Sequence, residues 1–385
     1  MNESSWIRKM FEEGMLLKKE FGEENVQDFS LGNPVLDPPN EFFESLTKIS
    51  SGIRPKGIHG YMQNAGFVST RNEIAQKLTN ESKSSVNSDD ILITTGAAGA
   101  INVILHSILD QNDEVIIFKP YFPEYKFYVD NHGGKSVYCE FNEDFTPSIE
   151  SLNSIISDKT KAIILNSPNN PTGATYSKEV IENICKIASS AEEKYRSKIF
   201  IISDEPYRYL EYENTFQPFI FDLYERGIVA SSFSKDLSIA GERIGFIAIG
   251  DRLNEKQTLI NAFNFSNRTL GYVNAPALGQ RLVENSINAL VDISQYQSKR
   301  DKMYSSLIEF GYEIIKPTGA FYLFPKSPLE NDVEFTELLK KERILVVPGA
   351  GFGGAGYFRI SYSVEDKVIS KSLDGFKKVI DSIKG

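Results

Sequence analysis

Ile91-Leu92-Ile93-Thr94 runs through Thr95 into Gly96-Ala97-Ala98-Gly99, and then into a stretch with Ile101, Ile104, Leu105, Ile108 and Leu109 on one side. Of the first four residues three are apolar and three are β-branched, as in a strand covered on both faces. The later positions follow i, i+3, i+4, i+7, i+8, the period of an amphipathic helix. A strand, a small-residue turn and a helix in this order are the building unit of an α/β sheet. Working outward, further short apolar runs occur at Val115 to Phe118, Ala162 to Leu165, Ile199 to Ile202, Ile228 to Ala230 and Ile244 to Ile249, and a helical pattern at Lys178 to Ser189 separates two of them. The reading is α/β: a large domain with a mainly parallel sheet sandwiched by helices.

The last third has another character. Ala320 to Phe324, Ile344 to Val347 and Phe358 to Tyr362 read as strands, with helices near 333–341 and 365–383. This predicts a smaller α+β domain. The expected limits are 1–45 for an N-terminal segment packing with the small domain, 46–280 for the large domain and 281–385 for the small one. A chain of 385 residues exceeds one ordinary core, which agrees with two domains.

Composition narrows the function. There are 42 basic and 52 acidic residues, a net charge of −10, which disfavours a broad nucleic-acid surface. No run of roughly 18 uncharged apolar residues is found, so no membrane span is expected. Met1 to Phe11 lacks an apolar run of signal-peptide length, and the only cysteines are Cys139 and Cys185, without metal-ligand spacing. A cytoplasmic protein with reduced thiols and no metal site is expected. The sequon Asn80-Glu81-Ser82 is discounted on the same ground.

In an open α/β sheet, ligands gather beyond the carboxyl ends of the strands. Five groups fall there. Gly96-Ala97-Ala98 opens a helix whose N–H groups can seat an anion. Phe122, in Pro120-Tyr121-Phe122-Pro123, can stack on a flat ring. Asn166-Ser167-Pro168-Asn169-Asn170-Pro171-Thr172-Gly173 is turn chemistry that can aim one amide. Asp204, in Asp204-Glu205-Pro206-Tyr207, can keep a ring nitrogen protonated. Ser232, Ser234 and Lys235, followed by Arg243, offer an amine for a Schiff base and a hydroxyl and guanidinium for a phosphate. Arg359, inside the apolar run Tyr357 to Ser361, suits two-pronged binding of a carboxylate.

Asn169-Asn170-Pro171-Thr172-Gly173, Ser203-Asp204-Glu205-Pro206-Tyr207 and Ser232-Phe233-Ser234-Lys235 with Gly241-Glu242-Arg243-Ile244-Gly245 together resemble the class I/II aminotransferases, pyridoxal 5'-phosphate enzymes of fold type I in the aspartate aminotransferase superfamily. The resemblance covers about residues 28 to 365. It implies the following roles. Lys235 forms the Schiff base and then acts as the base at the substrate's Cα. Asp204 pairs with the pyridinium nitrogen, with Tyr125 behind it. Asn170 and Tyr207 bond the ring's phenolic oxygen, and Phe122 stacks on the ring. The backbone of Ala97 and Ala98, with Ser232 and Arg243, holds the phosphate. Tyr61 reaches the phosphate of a neighbouring subunit, so a homodimer with shared sites is implied. Gly32, Asn170 and Arg359 meet the substrate. The chain departs from the pattern in two places: Phe122 stands where tryptophan or tyrosine is frequent, and Ala97-Ala98 lacks a hydroxyl that some members offer the phosphate.

The implied reaction moves an amino group from an L-amino acid to a 2-oxo acid, with 2-oxoglutarate expected as acceptor. A β-lyase or an enzyme like aminocyclopropane-carboxylate synthase uses the same cofactor residues and stays open, because the outcome depends on which Cα bond stands perpendicular to the ring. A third reading is a cofactor-sensing domain of a regulator, although no basic helix-turn-helix is read in residues 1–27. Arg54, Lys56 and His59 are read as a solvated loop rather than a substrate contact, and His106 and His132 receive no role.

Overall fold

The structure, a computed structural model, describes residues 6–51, 59–213 and 217–384. Arg54 and Lys56 lie outside the described residues. The strands in chain order are β1 (Gln27–Asp28), β2 (Ile91–Thr94), β3 (Glu114–Phe118), β4 (Lys135–Cys139), β5 (Thr160–Asn166), β6 (Phe200–Asp204), β7 (Gly227–Ser232), β8 (Gly245–Ile249), β9 (Tyr322–Leu323), β10 (Ile344–Leu345), β11 (Val347–Pro348) and β12 (Phe358–Ser361).

Seven strands form one sheet in the order β2-β8-β7-β6-β5-β3-β4. Only β8 runs against its neighbours β2 and β7; the other pairs are parallel. Alternation along the strands divides their side chains between two cores. Leu92, Val115, Ile117, Ile164, Ile202 and Ile247 join Ile101, Ile104 and Leu105 of helix Gly96–Ile108 and Phe263 of helix Lys256–Thr269 on one face. Ile91, Ile93, Ile116, Ile163, Ile201 and Val229 join Ile181, Ile184 and Ala188 of helix Lys178–Tyr195 on the other. Burial on both faces explains why these strands read as continuous apolar runs. The fold is the fold-type-I arrangement expected from the sequence.

A separate core gathers helices Ile293–Phe310, Asp332–Lys341 and Asp366–Lys384 around the antiparallel sheet β11-β12-β9. The run Ile344 to Val347, expected as one strand, is two: β10 pairs with β1 and β11 with β12, so the chain changes partner at Val346. Strand β4 and helix Glu124–Asn131 were not expected. Of Lys135-Ser136-Val137-Tyr138-Cys139 only Cys139 is fully buried, so this strand lacks the continuous apolar run that marks its neighbours.

The expected boundary at 280/281 falls within helix Ala277–Glu284. Its Leu282 and Val283, and then Ile287 and Ala289, pack in the sheet's core, whereas Val291 and Tyr296 belong to the second core. The N-terminal segment also divides, with Phe29 in the second core and Phe42 in the sheet's core. No helix of the described residues is long and apolar enough to cross a membrane. Cys139 and Cys185 are buried free thiols.

Candidate active site

The carboxyl ends of β2, β3, β5, β6 and β7 face one cavity of about 270 Å³. Because β8 is antiparallel, its amino end joins them, and this brings in Arg243. The cavity is lined by Gly32, Ala97, Ala98, Phe122, Asn170, Asp204, Tyr207, Ser232, Lys235, Arg243 and Arg359, and also by Tyr125 and Ser234. Of the site residues expected from the sequence, Tyr61 alone stands elsewhere, 95 % exposed on the single chain.

At the end of β2 the chain turns at Gly96, φ +71°, into the helix. A Cβ at Gly96 would lie 2.8 Å from Arg243 Nη2, and one at Gly245 would lie 2.5 Å from the Gly96 carbonyl carbon. Glycine at both positions lets the guanidinium lie over the helix's first turn. Arg243 itself adopts the left-handed conformation, φ 55°, and its Nη1 donates to the Ala240 carbonyl at 3.0 Å. A cation beside free helix N–H groups makes an anion seat.

Beyond β5, Asn166 Nδ2 donates to the Asp204 carbonyl (2.9 Å), and Asn166 Oδ1 accepts from the Asn170 N–H (2.9 Å). Asn170 Oδ1 is taken by Arg359 Nη1 at 3.0 Å, which leaves its Nδ2 as the group to donate into the cavity. At β6, Tyr125 donates to Asp204 Oδ2, while buried Asp204 Oδ1 has no hydrogen-bond partner. Burial raises the Asp204 carboxyl to about 7, and the Tyr125 hydrogen bond opposes the rise. The Tyr207 hydroxyl is 2.7 Å from that of Tyr322.

Lys235, beyond β7, donates to the Gly32 carbonyl at 2.7 Å. Burial lowers its amine to about 7, and the charges of Arg243 and Arg359 add to the fall. Gly32 is required as such, because a Cβ there would collide with the Tyr322 hydroxyl. Arg359 on β12 is 1 % exposed. Its Nη2 donates to the Ser30 carbonyl, and its Nε has no partner. The aromatic faces of Tyr322 and Phe352 each lie 4.8 Å from the guanidinium carbon.

The sequence of this chain agrees with that geometry. The profile of the family described as "Aminotransferase class I and II" matches residues 24–376. The chain belongs to the class I and II aminotransferases. This aminotransferase is 32 % identical over 368 residues to a probable aspartate aminotransferase of Methanocaldococcus jannaschii, covering 92 % of this chain and 93 % of the relative. It is 32 % identical over 392 residues to aromatic-amino-acid aminotransferase 2 of Thermococcus litoralis, covering 98 % and 95 %. An amino transferase structure from Eubacterium rectale superposes with a TM-score of 0.95 at 36 % identity, covering 98 % and 96 %. Thermus thermophilus aspartate aminotransferase with maleate gives 0.86 at 27 %, covering 98 % and 97 %. The protein is a transaminase, and membership of the family implies pyridoxal 5'-phosphate.

Sequence reasoning missed Asn166, Tyr322 and the Ser30 carbonyl. In the sequence Asn166 reads only as the first residue of a turn. Tyr322 lies in the apolar run Ala320 to Phe324, where its single hydroxyl was the available signal. A backbone carbonyl has no sequence signal.

Proposed function

We propose that this transaminase moves the amino group of an L-amino acid to 2-oxoglutarate, with pyridoxal 5'-phosphate held covalently at Lys235. The supporting observation is the convergence on one cavity of an amine, a buried carboxylate with an unshared oxygen and two guanidinium groups. The donor set fits the cofactor. Arg243, the N–H groups at Ala97 and Ala98, and Ser232 would hold its phosphate. Asp204 Oδ1 would meet the ring nitrogen. Asn170 and Tyr207 would meet the phenolic oxygen, and Phe122 the ring face. Arg359 and the backbone of Gly32 would take the substrate's α-carboxylate.

When bound, the cofactor supplies an electron sink for the pair left at Cα as its proton departs. Lys235 Nζ, partly uncharged near pH 7, is suited to take that proton and give it back. Asp204 brings a buried carboxyl to the same cavity, and a protonated ring nitrogen beside it would favour its charged form. Arg359 is kept in one orientation by Asn170 and Ser30, so little side-chain freedom remains to be lost when a carboxylate arrives. The exposure of Tyr61 fits a role in a second subunit's site, and we assign the active form as a cytoplasmic homodimer.

Purified protein, pyridoxal phosphate, 2-oxoglutarate and a panel of L-amino acids test the reading. Glutamate should form in step with the donor's oxo acid. Ammonia or sulfide released without an acceptor would replace transfer by elimination.

A further inference from the structure

Tyr322 on β9 pairs in register with Ser361 of β12. Arg359 stands two residues before Ser361, so Tyr322 and Arg359 share one face of this small sheet. Both line the cavity, and the Tyr322 ring centre is 4.8 Å from the Arg359 guanidinium carbon. Tyr207, which follows β6 of the seven-stranded sheet, lines it too. The hydroxyls of Tyr207 and Tyr322 are 2.7 Å apart, and both side chains are buried. The Gly32 backbone packs against the Tyr322 hydroxyl, where a Cβ would collide.

This pair has one hydrogen to spare. Two phenols carry two hydrogens, and the bond between them uses one. Neither hydroxyl makes a second hydrogen bond to a described residue. If Tyr207 gives its hydrogen to the cofactor's phenolic oxygen, the bond between the two hydroxyls can run only from Tyr322 to Tyr207. The guanidinium beside the Tyr322 ring favours that direction, because a nearby cation strengthens a phenol as a donor. Hydrogen bonds in such a chain polarise one another, so the outer phenol strengthens the inner one.

We propose that Tyr322 is a positioning residue of the transaminase site: its hydroxyl donates to Tyr207 and so holds the Tyr207 hydrogen toward the cofactor's phenolic oxygen. This rests on the cofactor reading above.

The test is a pH titration of the visible absorbance of protein loaded with pyridoxal 5'-phosphate, for wild type, Tyr207→Phe, Tyr322→Phe and the double variant. The charged groups that line the cavity, Asp204, Lys235, Arg243 and Arg359, are present in all four. A donor to the phenolic oxygen stabilises its negative charge, so weakening that donor lets the bound cofactor keep its proton to higher pH. The expected midpoint rises in Tyr207→Phe, and rises by about half a unit in Tyr322→Phe, somewhat less than one whole hydrogen bond would give. Adding Tyr322→Phe to Tyr207→Phe should then raise it no further. An unmoved or lowered midpoint in Tyr322→Phe alone overturns the inference and leaves the functional reading intact. A full further rise in the double variant also overturns it, since Tyr322 then acts without Tyr207. Failure of the wild type to take up the cofactor removes the functional reading, and this inference with it.

Discussion

Tyr125 donates its phenolic hydrogen to Asp204 Oδ2, and Oδ1 of the same cavity-lining carboxylate is left buried and without a partner. A buried carboxylate oxygen with no donor is costly unless a cation or a proton meets it. Family membership implies a ring nitrogen as the natural claimant. Asp204→Ala is therefore expected to lower kcat about a hundredfold or more, the size of one pre-placed electrostatic stabiliser. Steady-state turnover with saturating cofactor measures this, and near-normal kcat would remove the pairing role.

Tyr125→Phe is the milder companion. The hydrogen bond from Tyr125 pulls the Asp204 carboxyl down against a rise caused by burial. Its loss should move Asp204 higher, so that the carboxylate ionises only at higher pH. The acid limb of kcat/KM shifts upward, while the fold is kept. An unchanged limb would mean that the carboxylate's charge is set elsewhere.

Lys235→Ala should abolish turnover and any cofactor link fixed by borohydride. Peptide mapping decides the point, and a label on another lysine would contradict the assignment. The same variant has a stability signature. The folded amine sits near 7, below its ordinary value of 10.5, so between those values the unfolded chain binds more protons and stability rises with pH. Below about 7 the buried charge destabilises fully. Thermal unfolding of cofactor-free protein should show that alanine stabilises more at pH 6 than at pH 9. A gain of the same size at both would contradict the lowered amine.

Arg359→Ala should raise KM for α-amino acids about tenfold or more, with a smaller change in kcat, because the charged hydrogen bonds to a carboxylate are lost. Arg359→Lys should recover little, since an ammonium cannot reproduce the guanidinium fork. Initial rates over a range of donor concentration check this, and unchanged KM values would place the carboxylate elsewhere.

Tyr61→Phe should weaken cofactor retention only if the residue acts across a subunit boundary. Mixing Tyr61→Phe with Lys235→Ala subunits then gives hybrids in which one site has both residues intact. Partial recovery of wild-type cofactor retention is expected in such mixtures. A monomer in sedimentation, or no recovery, would refute the shared site.

Much of this site was legible before any fold was described, for a local reason. Asp204, Lys235, Asn170 and Phe122 each follow a short apolar run, and a residue just past a parallel strand is delivered to the sheet's carboxyl edge. Burial of β2, β5, β7 and β8 on both faces made those runs easy to read. The edge strand β4 was hidden because only partial burial acts on it, and helix Glu124–Asn131 carries Tyr125 and Tyr128 without a strong apolar stripe.

The chain by itself determined the alternation of strands and helices, the residue types at the strand ends and the family to which their strings belong. Tertiary structure alone decided that β8 turns back to deliver Arg243, that Arg359 meets Asn170 across 189 residues and Tyr207 meets Tyr322 across 115, and which oxygen of Asp204 is left without a partner. The division follows from range. Periodicity and turn chemistry act over a few residues and are written along the chain, whereas pairings between distant side chains exist only once two cores have packed against each other.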